Sequence, residues 1–191
     1  MIIISNYELI AHHSGVFFVK SSEIIPCPCC DGLLRGIGSR ERICKHSDGS
    51  SMVLIIRRKR CGSCNKIHHE LPNLLVPYKR YGAESIESVV GELEPSHVAA
   101  DESTLYRWRQ WYKDWSPYAL SALRSIGFRF QLDMLEQVSS VPVQSTLQSI
   151  KHLVGESIGW LAKVVRSLSN INLWYIPILH SCPDKDEIDS C

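Results

Sequence analysis

In the first third of the chain, apolar positions come in short runs with strand character. Val16-Phe17-Phe18-Val19 is one such run. Met52-Val53-Leu54-Ile55-Ile56 is a second, continuing as Arg57-Arg58-Lys59-Arg60, and Lys66-Ile67-His68-His69-Glu70 is a third. Their β-branched and aromatic content suits a pleated, half-buried surface. Between Leu33 and Lys45 apolar and polar residues mix around Gly36 and Gly38, and Ser47-Asp48-Gly49-Ser50 then supplies a turn into the Met52 strand. Asp-Gly between two strand-like runs predicts a hairpin. The rest of residues 1–25 alternates loosely, and the adjacent His12 and His13 would point to opposite faces of a strand, which makes them a surface pair.

Beyond residue 70 the pattern changes. Leu71 to Tyr81 holds two prolines, Pro72 and Pro77, and predicts an extended linker. From 83 to 93, Ile86, Val89, Val90 and Leu93 form a helical stripe, closed by Pro95. Val98-Ala99-Ala100 reads as a short middle helix, and Asp101 as the N-cap of a further helix carrying Leu105, Trp108, Tyr112 and Trp115 on one face. Ser116-Pro117 reads as the cap and first position of the next helix, which Gly127 ends. A last stripe, Leu147, Ile150, Val154, Ile158, Leu161, Val165 and Leu168, predicts a helix over 144–169, serving either as a cover for the core or as a homodimer seam. The expected class is α+β: an N-terminal arm and small β zinc ribbon over 1–81, a helix-turn-helix over 82–116, and a helical C-terminal region with an acidic tail over 117–191.

The cysteines bring the chemistry. Cys27-Pro28-Cys29-Cys30 and Cys61-Gly62-Ser63-Cys64 each place two thiols on one tight turn, and together they predict a four-thiolate zinc site of Cys27, Cys30, Cys61 and Cys64. Cys29 offers another pairing with Cys27, but two intervening residues are the usual spacing. Gly32 is expected to take positive φ just after the first pair. Iron would use the same four ligands. A redox C-x-x-C would need a helix after the motif, whereas strands and a turn follow. Cys44, Cys182 and Cys191 stand apart as ordinary thiols, and His68 and His69 are expected to pack or to face DNA.

Charge changes the picture further. The 191 residues sum to a formal charge of +1, yet from Arg35 to Arg80 eleven Lys and Arg face only Glu41, Asp48 and Glu70, a local excess of eight positive charges. Such a segment suits a polyanionic partner. Tyr78-Lys79-Arg80-Tyr81 interleaves cations and aromatics, as backbone and base contacts require. On the helix after Asp101, the outer face shows Ser103, Thr104, Arg107, Gln110 and Lys113, with Arg109 at its edge. No run is long and apolar enough to span a bilayer, and the start lacks a basic leader, so a cytoplasmic location is expected.

The run Arg57–Cys64, then Ile67–Pro72, Val76–Tyr81, Glu102-Ser103-Thr104 and Arg107-Trp108-Arg109, resembles an uncharacterised bacterial domain family associated with mobile elements. That family in turn resembles the N-terminal zinc-ribbon and helix-turn-helix portion of insertion-sequence transposases. The likeness covers roughly residues 25–115 and implies DNA binding with zinc, without a known activity. The functional expectation is a zinc-dependent protein that binds double-stranded DNA. Arg57, Arg58, Lys59, Arg60, Lys79 and Arg80 would meet phosphates, while Ser103, Thr104, Arg107, Arg109, Gln110 and Lys113 would lie on the reading helix. The alternative is a protein–protein adaptor. A complete transposase would need three clustered carboxylates, and between Trp115 and the tail only Asp133, Glu136 and Glu156 occur, so no catalytic residues are expected.

Overall fold

The computed structural model describes residues 1–91, 97–130 and 145–175. It is a mixed α+β fold: a curled six-stranded sheet followed by four helices. The strands are β1 (Ile2–Ile4), β2 (Glu8–His13), β3 (Val16–Lys20), β4 (Leu34–Lys45), β5 (Ser51–Cys61) and β6 (Ile67–Pro72). The helices are α1 (Ala83–Val90), α2 (Glu102–Arg129), α3 (Thr146–Val154) and α4 (Trp160–Ser169).

β5 is the axis of the sheet. Along one side it pairs antiparallel with β4 for its whole length, from Lys45↔Ser51 to Leu34↔Cys61. Its other side is shared: β3 lies parallel to residues 53–55, and β6 lies antiparallel to residues 58–60. The β4–β5 hairpin turns through Asp48, whose carboxylate accepts from the Ser50 N–H and hydroxyl, with Gly49 at φ 87°. These four strands follow the sequence expectation.

Two further strands do not. β1 runs parallel to β6, and all three of its isoleucines are fully buried. A short unbroken apolar run is the pattern of a strand covered on both faces, and at only three residues it carries no period. Its outer edge is closed by side chains: the Asn170 amide accepts from the Ile3 N–H and donates to the Ile3 carbonyl, to which Arg166 also donates. β2 pairs antiparallel with β3 as an exposed outer strand, and His12 and His13 do not point to opposite faces as expected: a bulge there brings their ring centroids to 4.8 Å of each other. The 71–81 segment is no extended linker beyond β6. It folds back in turns that bury Leu75, Val76 and Pro77, and the Ala83 N–H donates to the Leu74 carbonyl.

The helices also depart from expectation. Val98–Ala100 is not helical: the Ala99 N–H donates to the Ser47 carbonyl and holds this stretch against the β4–β5 turn. α2 has no boundary at Ser116-Pro117 and continues for 28 residues with Pro117 inside it. Proline removes one helical hydrogen bond, but Trp115 and Ala119 flank it fully buried, and core packing on both sides outweighs the local break. The 144–169 stripe divides into α3 and α4 because Gly155 and Gly159 take φ of 93° and 88°. α4 then borrows its cap: the buried Glu87 carboxylate of α1 accepts from the N–H groups of Gly159 and Leu161. Leu161, Val165 and Leu168 are buried in the chain's own core, which favours the covering role for this segment. Trp111, Tyr112, Trp115, Trp160 and Trp174 meet ring to ring between α2, α4 and the chain after α4. The acidic tail, Cys182, Cys191, Asp133 and Glu136 lie outside the described residues.

Candidate metal centre and cationic face

The two cysteine pairs fold into matching turns. In the first, Cys27 N–H donates to Gly32 O at 2.9 Å and Asp31 N–H to Cys27 O at 2.8 Å. In the second, Cys61 N–H donates to Lys66 O at 3.0 Å and Asn65 N–H to Cys61 O at 3.1 Å. Each turn needs a left-handed residue just after its second cysteine, supplied by Asp31 (φ 56°) and Asn65 (φ 59°). Asp and Asn tolerate that region better than most residues. Gly32 therefore serves a different purpose from the one expected. A Cβ there would lie 2.6 Å from Ser63 Oγ and 2.8 Å from Cys61 Sγ, so glycine permits the second turn to close on the first.

The result gathers Cys27, Cys30, Cys61 and Cys64 with all sulfurs within 4.8 Å of one another. Cys27 and Cys64 sulfurs are 3.6 Å apart, and Cys30 and Cys61 sulfurs 3.5 Å. An ion bonded at about 2.3 Å to four tetrahedral sulfurs sets edges of about 3.8 Å, so the four sulfurs are close enough together to hold a metal ion. Electrostatics agree. Burial, joined by the neighbouring sulfurs, pushes the Cys27 thiol up to about 12. Backbone N–H groups of Cys64 and Ser63 pull Cys61 down to about 6. At Cys30 the Gly32 backbone favours the thiolate, but the Cys61 and Cys64 sulfurs outweigh it and the thiol is raised. Four adjacent sulfurs cannot all be anionic alone; a cation removes that conflict and displaces their protons.

β5 carries this centre at its end and divides the basic run by strand alternation. Successive side chains point to opposite faces. Arg57 and Lys59 share the face of Cys61 and both pair with the buried Glu70 carboxylate, Arg57 also donating to the Ser21 carbonyl at 2.7 Å. Arg58 and Arg60 face the other way. There the register sets Arg58 opposite Gly38 and His69, and Arg60 opposite Arg35 and Ile67, with Arg40 and Arg42 farther along β4. Arg40, Arg58 and Arg42 act on His69, whose pKa is lowered by burial and then by these cations. Arg42 is lowered in turn by burial, Arg40 and Arg80, and Lys79 by burial and Arg107. Arg42 also donates to the Lys79 carbonyl, and the Lys79 ammonium sits 4.6 Å over the Trp111 ring. A chain of like charge thus runs from Arg58 through Arg40, Arg42 and Arg80 to Lys79 and Arg107. Among the described residues none of these six forms an ion pair.

The remaining sequence candidates lie along α2. Asp101 caps it, accepting from the Thr104 N–H and the Ser103 and Thr104 hydroxyls, and these bonds hold its carboxyl down at about 2. Arg107 donates to Ser103 and Thr104, and Gln110 to Asp114. Arg109 and Lys113 are exposed. Electrostatic proximity thus links Arg58, Lys79, Arg80 and Arg107 through Arg40 and Arg42, whereas Arg57 and Lys59 pair with Glu70. Sequence reasoning missed Arg40 and Arg42 as members, whereas His69 is among the residues expected to pack or to face DNA. The signal for Arg40 and Arg42 was present in the hairpin, since the Asp48-Gly49 turn sets them opposite Ile56 and Leu54, on the same face of β5 as Arg58. His68 is buried on the metal's face, its Nε2 3.4 Å from Cys27 Sγ, so it does not face outward as one expectation had it. Cys44 is buried in the core, which pushes its thiol up to about 11.

Fold and site together define an α+β protein with a four-cysteine cluster able to hold a metal ion. Residues 27–108, from the first cysteine turn to Trp108 of α2, match a family described as Domain of unknown function (DUF6431). No curated protein and no solved structure matches the chain. No described helix is long and apolar enough to cross a membrane.

Proposed function

We propose that this chain is a zinc-stabilised, non-catalytic module that binds double-stranded DNA by its phosphates. In this reading the two cysteine turns and β4–β6 form a zinc ribbon, with Zn2+ at Cys27, Cys30, Cys61 and Cys64. The observation that carries the reading is the row of six cations from β4, β5, the 79–80 turn and α2, none of which forms an ion pair among the described residues. Like charges held together lower the stability of the isolated protein, and a polyanion relieves that repulsion. In this reading Arg40, Arg42, Arg58 and Arg80 meet a phosphate backbone, and Arg107, Arg109 and Lys113 extend the contact along α2. Zinc acts as a mount that fixes the end of β5, and hence the position of Arg58.

The test is fluorescence anisotropy of the zinc-loaded chain on a labelled random-sequence duplex over a salt series. Binding that weakens steeply with salt is expected, with a log–log slope of about −0.9 for each phosphate neutralised. Absence of binding at low salt, or affinity indifferent to salt, refutes the reading. A protein adaptor is the second reading, favoured by Leu9, Ile10, Phe18 and Ile43, exposed apolar side chains on β2, β3 and β4. It predicts capture of a protein partner that persists when the six cations are neutralised.

A further inference from the structure

Cys29 and His68 fall outside the four-cysteine centre, yet both adjoin it. The Sγ atoms of Cys27 and Cys29 and a ring nitrogen of His68 lie within 4.8 Å of one another, a second donor group that shares Cys27 with the first. The His68 nitrogen on this side is Nε2, 3.4 Å from Cys27 Sγ. Bonds of about 2.3 Å to sulfur and about 2.0 Å to nitrogen at a tetrahedral angle give a sulfur–nitrogen edge near this length. The His68 ring is fixed from its other edge, with Nδ1 3.3 Å from the Met1 nitrogen, and it is buried. Cys29 is half-exposed, and its sulfur accepts from the Lys66 ammonium at 3.6 Å.

We propose that Cys27, Cys29 and His68 bind a second thiophilic metal ion, with Cys27 Sγ bridging it to the ion of the four-cysteine centre. A thiolate sulfur has enough lone pairs to bind two ions, and two sulfurs with one imidazole form a soft donor set suited to the zinc group. Charge favours the same arrangement. Four thiolates around one dication leave two negative charges, part of them on the fully buried Cys27; buried charge is normally paired or bound to metal. A second cation at the shared sulfur offsets it. On binding, the Cys29 thiol gives its proton to solvent, and the Lys66 ammonium swings away. Three protein donors leave a fourth position open to water, so this ion exchanges faster than the first.

The inference rests on the four-cysteine centre holding a metal, and one titration separates the two claims. The reduced full-length chain is titrated with Cd2+ alone. Bound ions are counted by mass spectrometry of the folded protein, and the cadmium–thiolate absorbance is followed. The wild type should take two ions in two steps, whereas Cys29→Ser should take one, with the first step unchanged. His68→Gln should also lose only the second step. Cys29→Ser changes a half-exposed side chain, so it remains informative if His68→Gln fails to fold. A wild type that saturates at one ion overturns the bridged site and leaves the four-cysteine centre standing, with His68 acting as a hydrogen-bond donor to Cys27. A second ion that survives Cys29→Ser also overturns it. A chain that takes no ion refutes both.

Discussion

Arg57 and Arg58 are neighbours in one basic strand, and the structure assigns them opposite roles that a pair of alanine substitutions separates. Arg57 pairs with Glu70, whose side chain is 1% exposed, and Lys59 completes the pair from the same face. Removing one partner of a buried ion pair costs about 3–5 kcal/mol. Here Lys59 stays, and the Arg57 side chain is 40% exposed, so solvent screening brings the loss to about 1–2 kcal/mol. Arg57→Ala should therefore lower the urea midpoint while leaving the DNA affinity of the folded protein almost unchanged. Arg58 has no such partner among the described residues, and Arg58→Ala should change stability by less than about 0.5 kcal/mol. In the proposed complex it removes one phosphate contact, reducing the salt slope by about 0.9 and the affinity at 0.1 M salt by about five- to tenfold. Tryptophan fluorescence in urea and duplex anisotropy across salt measure both quantities on the same samples. The reasoning fails if Arg57→Ala weakens binding at unchanged stability, or if Arg58→Ala leaves the slope intact.

Gly32→Ala should reduce Cd2+ or Zn2+ affinity by tenfold or more in a competition titration, because the added methyl meets Ser63 Oγ and Cys61 Sγ well inside contact distance; unchanged affinity would show that the two turns are not closely packed. Glu87→Gln keeps the shape of the α4 cap but loses the charge facing its N-terminal N–H groups, and should cost about 1–2 kcal/mol in urea unfolding. Acid stability should depend on Glu23. Burial raises its pKa, but the Asn6 and Ser5 N–H groups and the Arg166 guanidinium outweigh burial and hold it at about 2. A depressed carboxyl contributes stability above its ordinary value near 4.5 and loses it as pH falls toward 2. The difference in thermal midpoint between wild type and Glu23→Gln should therefore be largest above pH 4.5 and close below it; a gap that widens in acid contradicts the assignment.

Strand alternation made the division of Arg57 to Arg60 readable in principle, because period two follows from the backbone alone. What it did not tell was which face is the metal's. That required knowing that β6 places Glu70 and His68 beside Arg57 and Lys59, a pairing across a turn whose register no local pattern states. The joining of Arg42, Lys79 and Arg107 was hidden for a similar reason: it depends on Trp108 and Trp111 of α2 packing against the 79–81 turn. Among the helices, Ser116-Pro117 and Gly155–Gly159 carried equal local signals for a break, yet only the glycines produced one. The buried faces of Trp115 and Ala119 hold α2 straight through the proline, whereas positive φ at two glycines cannot be reconciled with a continuing helix.

By itself the sequence determined whatever is closed within a few residues: the two cysteine turns, the β4–β5 hairpin at Asp48-Gly49, the Asp101 cap, and the order of strands before helices. Hydrogen bonds and steric limits between near neighbours are enough to set these. Tertiary structure alone decided the rest. It inserted β1 beside β6, gave α4 a cap from α1, brought His68 against Cys27, and drew together cations from four segments. Those outcomes depend on contacts between residues far apart in the chain, whose energies come from burial and charge rather than from any local preference.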